Sequence, residues 1–163
     1  SGALATECDD IIIELHDATS PYALAYSFTG KLLTDGTISC SFPGGAYNNA
    51  YYIVVNHRNA IQTWSANPVT MSGLVTYDFS TAANKAYGDN QMEVETGVFA
   101  LISGDVNQDL TIDGFDYIQM DPDIVFGNSG YLSTDVDGNG SVDAFDYLLV
   151  DPNIANGITI QAP

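Results

Sequence analysis

Two stretches near the end of the chain hold the residue types best suited to chemistry. Asp105-Val106-Asn107-Gln108-Asp109-Leu110-Thr111-Ile112-Asp113-Gly114-Phe115-Asp116-Tyr117 aligns without a gap, 30 residues on, with Asp135-Val136-Asp137-Gly138-Asn139-Gly140-Ser141-Val142-Asp143-Ala144-Phe145-Asp146-Tyr147. The match resumes at Asp121-Pro122-Asp123-Ile124 against Asp151-Pro152-Asn153-Ile154, so one loop-plus-helix unit occurs twice. A tight loop turns alternate side chains inward around an ion, a main-chain carbonyl closes the ring, and the last acid stands on the first turn of a helix. That spacing nominates Asp105, Asn107, Asp109, the Thr111 carbonyl, Asp113 and Asp116 in the first loop. It nominates Asp135, Asp137, Asn139, the Ser141 carbonyl, Asp143 and Asp146 in the second. All are hard oxygens, which favours Ca²⁺ over a transition metal and predicts two ions. Without metal, eight carboxylates would crowd one small unit.

Each stretch resembles the calcium loop of an EF-hand, with two departures. The sixth position, a turn that needs positive φ, is Gly140 in the second loop but Leu110 in the first, which predicts a strained or weaker first site. The twelfth is Asp rather than the longer Glu in both, so the helix must approach the ion more closely. Ile112 and Val142, apolar at the eighth position, are expected to pair the loops through a short β-bridge and to face the core. The paired loops, the opening Gly104-Asp105-Val106-Asn107 and the Asp at position twelve resemble a dockerin, the duplicated calcium module of many bacterial secreted proteins. The resemblance spans residues 104 to 157 and implies calcium, paired loop-helix units and, as a partner, a cohesin-like protein. In the best-known dockerins the recognition pair at positions ten and eleven is small and hydroxylated. Here it is Gly114-Phe115 and Ala144-Phe145. Phe115 and Phe145, with Tyr117, Ile118, Tyr147 and Leu148, are expected to form the core between two short helices. Pro122 and Pro152 should shorten those helices to about two turns. Asp121 and Asp151 before them read as N-caps of a new helical turn, in preference to extra metal ligands.

The elements that must carry these loops precede them. From Gly104 to Pro163 there are 11 Asp and no Glu, Lys or Arg, whereas the other 10 acids lie earlier with Lys31, Arg58 and Lys85. This charge shift divides the chain into units 1–103 and 104–163. In the first, apolar residues alternate at Ile11, Ile13 and Leu15, at Leu24, Tyr26 and Phe28, at Ile38, Cys40 and Phe42, and at Val75, Tyr77 and Phe79. Turn signals such as Asp35-Gly36 and Pro43-Gly44-Gly45 separate them. About seven short strands suggest an antiparallel β-sandwich, with Tyr51 to Val55 central and a short helix at Thr81 to Tyr87. The fold class expected is therefore mainly β with a small α appendage. At pattern level the first unit resembles the transthyretin-like or carboxypeptidase-regulatory-like sandwiches of bacterial extracellular proteins, a likeness of fold that assigns no activity. Cys8 and Cys40 are either one disulfide or two buried thiols, Cys40 pointing to an apolar face.

Composition narrows the function. The 163 residues carry 45% hydrophobic and 15% charged side chains, enough to bury a core. A formal charge of -18 offers nothing to phosphate, which argues against nucleic acid. Ile11 to Ile13, the longest early apolar run, is too short to insert in a membrane, and the opening Ser1 suggests a fragment of a longer chain. No catalytic set emerges from His16, His57, Arg58 and the scattered hydroxyls, so no enzyme is expected. Asn56-His57-Arg58-Asn59 reads as a polar strand end, with a small recognition loop as the sharper alternative. Trp64 with Tyr47, Tyr51 and Tyr52 reads as core or sheet-edge aromatics, with a sugar-stacking platform as the alternative. The absence of a Pro/Ser/Thr tether around Leu101 to Gly104 predicts that the two units are docked. The whole resembles the end regions of large cell-surface proteins of the Bacteroidota. It points first to a calcium-stabilised structural or adhesive module of an extracellular assembly, packed on other domains or subunits. A cohesin-binding dockerin and a carbohydrate-binding module are the alternatives.

Overall fold

The computed structural model describes residues 6–163, so the start of the first unit and the expectation attached to Ser1 lie outside the described residues. Strand β1 (Glu7–Asp17) lies between β2 (Leu24–Leu33) and β3 (Ala50–His57), and both β4 (Ala60–Trp64) and the short β5 (Val69–Thr70) pair with β3. Every pairing in this five-stranded sheet is antiparallel. A separate hairpin joins β6 (Met92–Glu95) to β7 (Val98–Ala100). Period-two alternation fixes the register: Ile13 stands opposite Phe28 and Val55, and Leu15 opposite Tyr26 and Ile53, putting one apolar set on one face. Tyr52, Val54 and Trp64 cluster on the other. β3 is buried on both sides of the pleat, as its unbroken Tyr51 to Val55 run requires.

The two alternating segments at 38–42 and 75–79 are not strands. They run as irregular chain, yet Ile38, Phe42 and Phe79 still pack on Ile11, Ile13 and Val55. Alternation orders side chains, but a strand also needs a neighbouring edge to bond. The layer over this face of the sheet is therefore irregular chain where a second hydrogen-bonded sheet was expected. The helix expected at Thr81 to Tyr87 is instead two 3-10 turns, Ala83–Lys85 and Tyr87–Asp89. Ser80 does not cap it, because both its amide and its hydroxyl donate to Asp78 Oδ1, at 2.8 and 2.7 Å. Cys8 and Cys40 are free thiols and both are exposed, so neither the disulfide nor the buried pair is formed. Residues 38–42 lie outside any ladder, and Ile38 and Phe42 reach the apolar face of the sheet while Cys40 between them stays exposed.

Helices α1 (Gly114–Phe126) and α2 (Ala144–Ala155) follow the two acidic loops, and each runs through its proline. They are about 18 to 20 Å long, against the two turns expected. Buried contacts hold the axis on both sides of the break: Met120 and Val150 precede the prolines, and Ile124 and Ile154 follow them. Asp121 and Asp151 are mid-helix residues, not N-caps; each accepts a hydrogen bond from the opposite helix, from Tyr147 and Tyr117 respectively.

The core does not stop at residue 103. Ile61 of β4 and Ile102 are buried in the same cluster as Val106, Ile112, Met120 and Val150. The Ile61 amide donates to the Ile102 carbonyl at 2.9 Å, and the chain end returns so that Ile160 packs beside Val54 and Trp64. Sheet and helices are therefore joined by packing and by main-chain bonds.

Candidate metal centre

Each acidic loop is shaped by its own carboxylates before any ion is considered. Asp113 and Asp143 are the N-caps of α1 and α2, accepting from the Phe115 and Phe145 amides at 2.7 and 2.8 Å. Asp116 and Asp146 complete a capping box by accepting from the amides of Asp113 and Asp143, both at 2.9 Å. Their other oxygens accept from Val106 and Asn107, and from Val136 and Asp137, which folds each loop back over its helix start. Asp105 accepts from the amides of Asp109 and Leu110, and Asp135 from that of Gly140. Asp116 and Asp146 are fully buried at helix N-termini, where backbone amides and the helix dipole favour negative charge.

The sequence-predicted ligands converge best in the second loop. One oxygen each from Asp135, Asp137 and Asp146 lies within 4.8 Å of the others. Ionised carboxylates at such spacing repel by on the order of 1 to 4 kcal/mol per pair, depending on solvent access. Asp135 Oδ1 is buried and has no hydrogen-bond partner. A buried, partnerless oxygen beside two further carboxylates fits a hard divalent cation. In the first loop, burial and then the neighbouring Asp116 carboxylate push Asp105 up to about 6, and burial also raises Asp116. Position nine is more committed than the sequence suggested, since Asp113 and Asp143 already serve as caps.

The strain expected at Leu110 is present, with φ of 74° where Gly140 has 87°. A second contrast was not foreseen: Gln108 takes φ of 59° where the other loop has Gly138 at 73°. Ile112 and Val142 face the core, but the loops do not pair with each other. Thr111 bridges to Thr159 after α2, and Ser141 to Ser129 after α1, so each loop is stitched to the exit of the other loop's helix. Gly104, with φ of 124°, admits no side chain, because a Cβ there would meet Ile112 at 2.9 Å.

Phe115 and Phe145 are not core. They are 63% and 64% exposed, and Ile118 and Leu148 are both 63% exposed. Their place is taken by Met120 and Val150, each fully buried. Tyr117 and Tyr147 pack at the edge of the core cluster, edge to face with each other. The same four residues therefore recur as two symmetric pairs of apolar side chains in solvent. Residues 103–155 match the family model of the dockerin type I domain. The match covers 53 of the 163 residues and supports a dockerin-like calcium-binding module at this end of the chain. No curated protein and no solved structure matches the chain. Among the described residues, no helix is long and apolar enough to cross a membrane.

Outside the dockerin-like unit, the aromatic set offers no sugar platform. Trp64, Tyr51 and Tyr52 are buried, and Trp64 Nε1 donates to Gln62 Oε1 at 2.8 Å. Of that set only Tyr47 is exposed. Asn56-His57-Arg58-Asn59 is, as expected, the polar end of β3 with the turn into β4, and it is bonded inward instead of standing out as a recognition loop. Arg58 and Asn59 both bond the Asp135 carbonyl at 3.1 Å, and Arg58 and His57 hold Asp9 at 3.2 and 2.8 Å. The sequence carried one clue to this role: Arg58 is the single arginine of a chain with three basic residues.

Proposed function

We propose that the chain is a non-catalytic, calcium-stabilised docking module of an extracellular or cell-surface assembly. Its two ions would be held by Asp105, Asn107, Asp109, Thr111, Asp113 and Asp116, and by Asp135, Asp137, Asn139, Ser141, Asp143 and Asp146. The observation that carries the reading is the duplicated exposed set of Phe115 and Ile118 with Phe145 and Leu148, mounted on the helices that leave the two loops. Four large apolar side chains repeated at one spacing are poorly explained by folding alone, and contiguous exposed apolar surface marks association sites. Dockerin domains are calcium-dependent protein-protein interaction modules that bind cohesins, which makes a cohesin-like domain the first partner to try. The units 1–103 and 104–163 would act as one body, the sheet giving a rigid mount. Extracellular calcium would keep both loops filled, and a chain of charge -18 would gain four positive charges on binding two ions.

Two measurements test this. Calorimetry of the chain with cohesin domains from its own source should show binding in calcium and none in chelator. Chelation should also lower the melting temperature, since an ion bound only by the native state stabilises it by mass action, about 4 kcal/mol at a thousandfold excess over Kd. A melting curve indifferent to both calcium and chelator would remove the reading.

A further inference from the structure

The two loops are anchored to the sheet by different means. At the first, the attachment is main chain: the Gly104 amide donates to the Asn59 carbonyl at 2.7 Å, and Ala60 bridges to Ser103. The Asp105 carbonyl is bonded within its own loop, by the Gln108 side chain. At the second, the anchors are side chains from the turn between β3 and β4. The Asp135 carbonyl accepts from Arg58 Nη1 and from Asn59 Nδ2, and Arg58 also bonds the Leu132 carbonyl. Asn59 is 3% exposed and touches the start of both loops, one through its carbonyl and the other through its amide.

Arg58 is itself held in place. Its Nε donates to Asp9 Oδ2 at 3.2 Å, and its guanidinium lies 4.7 Å from the centre of the Tyr131 ring. Tyr131 in turn donates its hydroxyl to Asp9, and His57 meets the same carboxylate. A planar, multiply bonded guanidinium gives up less freedom per bond than a flexible ammonium would. The carbonyl that it grips belongs to the first ligand of the second loop, whose side-chain Oδ1 is the buried oxygen without a partner. Fixing the Asp135 main chain fixes the direction in which that oxygen points.

We propose, on the basis of the calcium reading above, that Arg58 and Asn59 are positioning residues of the second calcium loop. Neither touches the ion. They preorganise the Asp135 backbone from the sheet, so calcium affinity at that loop depends on docking of the sheet. Partners that orient metal ligands are worth tenfold to a hundredfold in affinity when lost. Linkage is reciprocal: calcium in the second loop must tighten the grip of Arg58 and Asn59 by the same factor.

The test uses the full chain and calcium alone. Amide resonances of Leu110 and Gly140 report the first and second loops separately during titration. Asn59→Ala keeps the carbonyl bond to Gly104 but removes the donor to Asp135; Arg58→Met keeps the apolar stem but removes all donors. Each should weaken the second loop tenfold or more and change the first by less than threefold. Arg58→Lys, which restores the charge and a single donor nitrogen but not the planar fork, should recover part of the loss. Hydrogen exchange supplies a second readout: calcium should slow exchange of the Arg58 and Asn59 amides in the unsubstituted chain. If a substituted chain melts below the working temperature, that exchange result decides alone, and no slowing overturns the proposal. Equal weakening of both loops, or a second loop indifferent to both substitutions, also overturns it while leaving the calcium reading standing. Calcium bound by neither loop of the unsubstituted chain overturns both.

Discussion

Tyr117 and Tyr147 meet edge to face across the junction of the two helices, ring centres 5.1 Å apart and planes at 88°. Each hydroxyl donates to the carboxylate that precedes the proline on the other helix, Tyr117 to Asp151 and Tyr147 to Asp121. Two copies of one 30-residue repeat thus lock each other through a reciprocal pair of bonds. Burial, followed by the bonded carboxylate, pushes both phenols up to about 12, so neither ionises at any pH where the protein works.

Replacing either tyrosine by phenylalanine keeps the ring contact and removes only the bond. The carboxylates remain in water, so Tyr117→Phe and Tyr147→Phe should each cost about 1 kcal/mol. For a chain of this size that is a fall of roughly 2 to 4 °C in melting temperature. If the prolines are held helical by these bonds, the double substitution should also raise amide exchange around Ile118 and Leu148. Unchanged exchange there would assign the helical path to packing alone.

The exposed and buried apolar sets give opposite predictions for similar chemistry. Phe115→Ala and Phe145→Ala remove large side chains already in solvent, so stability should change by about 0.5 kcal/mol or less. Met120→Ala should cost about 2 to 5 kcal/mol through lost burial and the cavity left behind. Chemical denaturation in saturating calcium separates the cases. A large loss on truncating the phenylalanines would return them to the core and remove the docking face.

Backbone strain distinguishes the loops in a way that substitution can exchange. Leu110 is kept at positive φ because its carbonyl accepts from the Ile160 amide at 2.9 Å and the Thr159 hydroxyl at 3.0 Å. Leu110→Gly should relieve roughly 1 kcal/mol of strain, partly offset by the greater freedom of the unfolded chain. Gly140→Leu should cost roughly 1 to 2 kcal/mol, although nothing lies within 4 Å of a Cβ there, because the penalty is torsional. Titration of the first loop of Leu110→Gly should show tighter calcium binding, and no gain would mean that strain is not what separates the sites.

The acidic repeat was legible because ligand spacing and the apolar eighth position both repeat at 30 residues, so one local pattern specified the loop and the helix after it, whereas the caps at Asp113 and Asp143 were hidden behind their reading as ligands. What α1 and α2 bury was not. Phe115 and Met120 are both apolar residues on one helix, and only the sheet, through Ile61 and Ile102, decides which of them faces inward. Ile38, Phe42 and Phe79 were read correctly as facing a core, yet alternation carries no information on whether a bonding edge stands beside them. The Arg58 anchor was hidden for a different reason. Its partners Asp9 and Asp135 lie 49 and 77 residues away, and two of its acceptors are main-chain carbonyls that every residue possesses.

Asp9 gives this anchor a pH dependence of definite sign. Burial would raise its pKa, but hydrogen bonds from Tyr131 and His57 and the charge of His57 outweigh burial and leave it lowered. A carboxylate with a depressed folded pKa contributes stability that is fully present above its unfolded value, near 3.9, and is lost as pH falls through the folded value. At neutral pH Asp9→Asn should therefore cost on the order of 2 kcal/mol, because a charged acceptor is lost from a mostly buried cluster. Acid also strips calcium from the loops, so the quantity to follow is the stability difference between the two chains in chelator, where calcium occupancy does not enter it. Urea unfolding from about pH 5 to about pH 2.5 should show that difference shrinking as the pH falls below about 4. A difference that persists at the acid end would mean that Asp9 acts by shape alone and that its charge does not hold Arg58 over the second loop.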